Sequence, residues 1–229
     1  ETARKNGLEP LAKIIMSQNA SDLDSIAFKY IKGDITTVEG ALEGARHIIA
    51  EWINERTDIR NNLRNQLERY AQITTKVVKT KAQKFRDYFD WSESLNRIPS
   101  HRLLAILRSE SAGFIRVKIE IDNVRALEHI ESRIIRSKNA CANQIELAIS
   151  DAYKRLLFPS LSNETLHNAK EKADEEAISV FTKNLKQLLL GSPLGEKCVL
   201  AIDPGFRSGC KIVCLDAQGG LKHNETIYP

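Results

Sequence analysis

In the stretch "TTVEGALEGARHIIAEWINER", the apolar residues Ala41, Leu42, Ala45, Ile48, Ile49, Trp52 and Ile53 return every three or four positions, with polar residues between them. That period predicts an amphipathic helix, and Thr36 with Glu39 offers a capping box at its start. The following "TDIRNNLRNQLERYA" keeps the same period. Ile59, Leu63, Leu67 and Tyr70 form an apolar stripe, while Arg56, Arg60 and Arg64 form a second stripe about a quarter-turn away. In "GFIRVKIEID" the pattern changes: Ile115, Val117, Ile119 and Ile121 alternate strictly with Arg116, Lys118, Glu120 and Asp122, as in a half-buried strand. "IPSHRLLAILRSE" is a Pro-Ser turn followed by an apolar run whose pattern fits either a helix or a strand.

Helical spacing returns in "NVRALEHIESRII" and "ACANQIELAISDAYKRLLFPSL". A last long helix, within "NETLHNAKEKADEEAISVFTKNLKQLLLGSPLG", puts Ala173, Ala177, Val180, Phe181, Leu185 and Leu188 on one stripe and stops at Gly191 and Pro193. After "GSPLGEK" the period becomes strand-like. "CVLAID" ends on Asp203, Pro204-Gly205 marks a turn, "CKIVCLD" is a second strand, and "AQGG" closes a hairpin before "LKHNETIYP" opens a third. The fold expected from these patterns is mainly α: a multi-helical domain over residues 1–190 with a short β element near 114–121, a linker at 191–197, and the first strands of an incomplete α/β segment over 198–229.

Composition narrows the function. No stretch approaches the roughly 20 apolar residues of a membrane span, and "ETARKNGLEP" lacks a signal-peptide core; a cytoplasmic fragment of a longer protein, with no membrane partner, is expected. Cys141, Cys198, Cys210 and Cys214 form no CxxC pair and the histidines are scattered, so neither a zinc site nor a disulfide scaffold is signalled. Cys210 and Cys214 read as reduced core cysteines on one face of a strand.

The net charge of +4 hides an uneven distribution, since residues 56–108 carry 12 basic and 5 acidic side chains. Arg56, Arg60 and Arg64, with Arg69 further along and Lys76, Lys79, Lys81 and Lys84 after it, are the candidate phosphate contacts of a nucleic-acid backbone. A solvated or internally paired helix face gives the same spacing. Tyr70, Phe85 and Tyr88 are interleaved with them and read as core residues rather than base-stacking platforms. Asp203, at the tip of what reads as a first, central strand, is the candidate metal ligand, since hard divalent cations take oxygen donors; as a lone carboxylate it is expected to bind Mg²⁺ or Mn²⁺ weakly. A turn that Pro-Gly would make unaided explains the same residue, and a phosphate-binding hairpin of the actin-like kinases has the same geometry.

"AIDPGFRSGCKIVCLDAQG" with "TIYP" resembles the opening of the YqgF-type domain of the Tex family of bacterial transcription accessory proteins, a relative of RuvC resolvases and the RNase H-like fold. "ALEGARHIIAEWI", "KFRDYFDW", "IPSHRLLAILRSE" and "ADEEAISVFTKNLKQLLLGSPLG" are similar to the helical region that precedes that domain in the family. The resemblance implies that 198–229 begins an RNase H-like (YqgF) domain, with helix-hairpin-helix modules and an RNA-binding OB-fold domain to follow. It also implies a nucleic-acid-binding transcription accessory factor, not an enzyme, without a cofactor, with RNA or DNA and the transcription machinery as partners. In that reading Asp203 is a vestige of the RuvC-like first carboxylate. The alternative is a metal-dependent RuvC/RNase H-like nuclease, which needs several carboxylates from different strands; a phosphotransferase is the third reading.

Overall fold

The computed structural model describes residues 2–79, 83–205 and 207–228. The chain divides into two compact units, Glu1–Ile178 and Ser179–Pro229.

The first unit opens with three short helices, α1 (Thr2–Lys5), α2 (Glu9–Ser17) and α3 (Leu23–Phe28). They lead into α4 (Val38–Glu55) and α5 (Thr57–Tyr70). The apolar period of α4 is realised in full: Ala41, Leu42, Ala45, Ile48, Ile49, Ala50 and Ile53 are all buried. Each fully buried Ile contributes about 1.5–3 kcal/mol relative to an exposed one. The three alanines keep the stripe narrow where other helices cross it. The cap differs from expectation by one position, because Thr37 accepts a hydrogen bond from Gly40 N at 3.0 Å. Glu39 pairs instead with Arg46 at 2.6 Å. On α5, Ile59, Leu63 and Leu67 are buried, but Tyr70 is 55% exposed at the helix end, with the Arg125 guanidinium over its ring.

A three-stranded antiparallel sheet follows, where the sequence pattern alone indicated one strand. Its strands are β1 (Gln72–Val77), β2 (Ser92–Ser94) and β3 (Ile115–Glu120), in the order β2-β1-β3. A 3₁₀ helix, Gln83–Tyr88, and α6 (Ser100–Ser111) lie between them in sequence, which settles the ambiguous "SHRLLAILRSE" as a helix. Ile73, Thr75 and Val77 of β1 stand opposite Ile119, Val117 and Ile115 of β3 on the inner face. Thr75 is buried there because its hydroxyl donates to Tyr88 O at 2.6 Å and accepts from Trp91 N at 2.9 Å.

Next come α7 (Asn123–Ile134) and α8 (Ala140–Asp151), each started by a side-chain cap: Asp122 accepts from Arg125 N and Asn139 from Ala142 N, both at 3.1 Å. The chain then passes through a π-helical turn, Ala152–Leu157, into the long α9 (Phe158–Leu189). The wide turn has a local reason. Pro159 has no N–H to donate and its ring would crowd the carbonyl four residues back; the Phe158 N–H reaches Tyr153 O, one residue further than in an α-helix. The helices share one core, in which α4 packs against α1, α2, α3, α5, α8 and the π turn.

In the second unit, β4 (Val199–Asp203), β5 (Cys210–Leu215) and β6 (Leu221–Ile227) form an antiparallel sheet in the order β4-β5-β6. β5 is therefore the middle strand of this sheet, and β4, expected to be central, is at its margin. Cys210 and Cys214, expected in a core, are half-buried; Cys141 is buried and Cys198 exposed. The α9 stripe expected to pack is buried at Ala173, but Val180, Phe181, Leu185 and Leu188 are exposed.

Candidate nucleic-acid interface

The arginines of the basic stripe, Arg56, Arg60 and Arg64, are held by partners within the chain. Arg56 is not on the α5 cylinder; it is the extended residue between α4 and α5. Its guanidinium makes a two-pronged contact with Asp58, at 3.0 and 2.6 Å, and holds that carboxyl below the usual carboxylate range. Arg60 donates to Asn54 Oδ1 at 3.1 Å and to Ser160 Oγ at 3.4 Å. Arg64 donates to both Glu164 oxygens, at 2.6 and 3.2 Å, and to Asn61 Oδ1 at 2.7 Å. The hydrogen bond from Arg64 lowers the Glu164 pKa, and the same bond raises that of Arg64.

The four-residue period of the basic stripe thus has a structural counterpart: Arg60 and Arg64 on α5 face Ser160 and Glu164 on α9, also four apart. On two packed helices, residues at i and i+4 occupy successive turns of one face, so the two rows meet rung by rung. The internally paired face that the spacing also allowed is the arrangement found at Arg64, and Arg56 is paired off the helix.

The rest of the basic stretch is organised by the sheet. Arg69 is exposed in the last turn of α5, where a cation complements the helix dipole, and its carbonyl accepts from Asn96 Nδ2 at 3.0 Å. Lys76 is exposed on the outer face of β1. Lys79 is exposed just after that strand, its N–H bonded to Phe114 O at 3.1 Å. Lys81 and the Lys84 side chain lie outside the described residues. Strand register adds two cations that reasoning on linear sequence did not connect with this set: Arg116 lies opposite Lys76, and Lys118 opposite Thr74. The signal was present in two places. "QITTKV" is rich in β-branched residues, and Arg116 and Lys118 occupy the polar positions of the alternating strand "FIRVKIEID".

Asp203 is exposed at the end of β4, in register with Lys211 of β5. Asp216, at the next strand end, is a turn residue. Its Oδ1 accepts from Gln218 N at 3.1 Å and Gly220 N at 2.6 Å, and Lys222 sits at 2.9 Å. The Lys222 contact, followed by the Gly220 amide, lowers its pKa. Among the described residues, no group of three or more His, Cys, Asp or Glu side chains is placed to hold a metal ion. A groove between α7 and α8 is lined by Glu128, Glu131 and Glu146 and has the wrong sign for a phosphate. Burial, and then Glu146 and Glu128, raise the Glu131 pKa. No helix of the described residues is long and apolar enough to cross a membrane.

The helical unit and the strand-Asp-turn-strand segment correspond to two family models. The one described as Tex central region-like matches residues 18–181. The chain belongs to the Tex family. The model described as Tex protein YqgF-like domain matches residues 197–229, which contain β4, β5 and β6. Among similar relatives, "Transcriptional accessory protein Tex" of Neisseria gonorrhoeae is 34% identical over 244 residues, covering 100% of this chain and 31% of the relative. "Protein YhgF" of Escherichia coli is 32% identical, with 100% and 32% covered. "S1 RNA-binding domain-containing protein 1" of Homo sapiens is 27% identical, with 100% and 24% covered. The chain thus spans about a third of the length of the bacterial Tex relatives it matches. The mainly α unit carries the match to the Tex central region, and the strands that follow carry the match to the YqgF-like domain.

Proposed function

We propose that this chain is the scaffold region of a cytoplasmic, nucleic-acid-binding transcription accessory protein and carries no catalysis of its own. The observation that carries the reading is the succession of a Tex central-type helical unit and YqgF-like strands in one chain. Relatives across its whole length bear the names transcriptional accessory protein and S1 RNA-binding domain-containing protein. RNA or DNA backbone is the partner class, and the transcription machinery a second one. Residues 1–190 act as the helical platform, 191–197 as the linker and 198–229 as the opening of the YqgF domain.

Two features of the site, set against what two-metal hydrolysis requires, support binding over cleavage. The Asp216 carboxylate is engaged in a hairpin turn, Asp203 faces a lysine across the register, and two-metal hydrolysis needs several converging carboxylates. Asp203 acts at most as a weak Mg²⁺ or Mn²⁺ ligand.

The test is a pair of measurements on the same protein. Fluorescence anisotropy with labelled RNA and DNA of 20 nucleotides is expected to show binding that weakens with salt. Incubation of the same nucleic acids with Mg²⁺ or Mn²⁺ is expected to leave them intact. Cleavage that disappears in Asp203→Asn would overturn the reading in favour of the nuclease; absence of binding at low salt would overturn it altogether.

A further inference from the structure

The outer face of the β2-β1-β3 sheet carries Ser92 and Ser94 on β2, Gln72, Thr74 and Lys76 on β1, and Arg116, Lys118 and Glu120 on β3. Register fixes their layout. Ser94, Gln72 and Glu120 form one row, Ser92, Thr74 and Lys118 the next, and Lys76 and Arg116 the last. The single carboxylate is in the first row, Lys118 in the middle one, and Lys76 and Arg116 at the opposite end.

Lys76 and Arg116 are direct cross-strand neighbours. Like charges in that position are destabilising unless something neutralises them. Five other arginines, Arg46, Arg56, Arg64, Arg102 and Arg155, each hold a carboxylate within 3.0 Å. Among the described residues, Lys76, Arg116 and Lys118 make no ion pair, and all three are exposed. A cation pair left uncompensated on an exposed, hydroxyl-bearing face fits an anionic partner that is not part of the chain.

We infer that this sheet face binds the phosphate backbone of a nucleic acid through Lys76, Arg116 and Lys118, so that the contact surface of the helical unit is the sheet and not the α5 arginines. The inference rests on the nucleic-acid-binding reading above and locates it. Arg116 and Lys118 are two residues apart, about 6.6 Å along the strand, and can address neighbouring phosphates; Ser92 adds a hydroxyl in the same row, where the Thr74 hydroxyl donates to Lys118 O at 3.4 Å. The outer-face positions of the three strands bear no aromatic side chain on which a base could stack. The contact is therefore to the backbone and independent of base sequence.

The experiment compares the whole chain with two triple variants, K76Q/R116Q/K118Q and R56Q/R60Q/R64Q, using a labelled single-stranded RNA of 20 nucleotides across a salt series. Each neutralised phosphate contributes about 0.7 to the log-log salt slope of a single strand. The sheet variant is expected to lose about 2 units of slope and the helix variant to keep the wild-type slope. K76R/R116K/K118R, which preserves charge, is expected to bind as wild type does. Removal of the like-charge pair should leave the melting temperature of K76Q/R116Q/K118Q unchanged or raised, so its folding is checked in the same samples. Wild-type binding with an unchanged slope in the sheet variant would overturn this inference and leave the nucleic-acid reading standing. Absence of binding by the wild type to this RNA and to the DNA of the same length, with labelled poly-glutamate retained through the same three cations, would overturn both.

Discussion

Gln18 is the residue whose removal tests most directly how the helical unit is held together. It is 7% exposed and sits in the left-handed region, φ 59°, where α2 ends. From there its side chain brackets the turn between α7 and α8. Nε2 donates to Ile134 O at 2.8 Å, and Oε1 accepts from Arg136 N at 2.8 Å and Ser137 N at 3.1 Å. Its own carbonyl accepts from Asn139 Nδ2 at 2.8 Å, the residue that caps α8. In Gln18→Ala the backbone bond survives, but one carbonyl and two N–H groups lose their partner. Each buried group left unsatisfied costs about 1–3 kcal/mol, and those near the turn surface recover part of this from water. The expected loss is therefore about 3 kcal/mol, or about 6–12 °C in melting temperature for a unit of this size. Gln18→Gly loses the same three bonds but removes the strain of a side chain in the left-handed region, about 1 kcal/mol, and should fall between Gln18→Ala and wild type. Urea unfolding followed by tryptophan fluorescence reports on this unit, because Trp52 and Trp91 both belong to it. A loss below about 1 kcal/mol in Gln18→Ala, or a glycine variant no more stable than the alanine one, would refute the bracket.

Further outcomes follow from other contacts. A double-mutant cycle on Arg64→Gln and Glu164→Gln is expected to give a coupling of only about 0.5–1 kcal/mol that shrinks with salt, since both side chains are about one-third exposed. Because the Glu164 pKa is lowered on folding, that contribution is present above the unfolded carboxylate pKa of about 4.3. It should vanish as pH falls through the lower folded value, which an acid titration of wild type against Glu164→Gln will read. Tyr153 is 3% exposed, its hydroxyl donates to Asn123 Oδ1 at 2.6 Å, and burial pushes its pKa up to about 12. Its neutral form stabilises the fold fully below pH 10 and less as pH rises towards 12. Denaturant melts should show a loss of up to about 2–3 kcal/mol over that window that Tyr153→Phe lacks. Gly209→Ala forces a Cβ to within 2.7 Å of Thr226 Cγ2 at a φ of 78°, and the resulting strain of about 1–3 kcal/mol should speed hydrogen exchange of the β5 and β6 amides without affecting the first unit.

The sequence by itself determined whatever depends on neighbours a few residues apart. The apolar period of α4, the alternation of β3, the stop at Gly191 and Pro193 and the Asp-Pro-Gly turn into a hairpin are all local, and so was the motif set that resembles Tex. Tertiary structure decided what each exposed-looking face meets. The four-residue spacing of Arg60 and Arg64 says that they share a face, but it carries no information about Ser160 and Glu164, 100 residues away. The same limit applies to β1 and β2. Their six- and three-residue runs became strands only through pairing with β3 and with each other, and that pairing set Lys76 beside Arg116. The exposed stripe on the second half of α9 and the position of β4 at the margin of its sheet are further cases. A side-chain period fixes orientation about an element's own axis, whereas burial, ion pairing and strand order are set by the elements that pack against it.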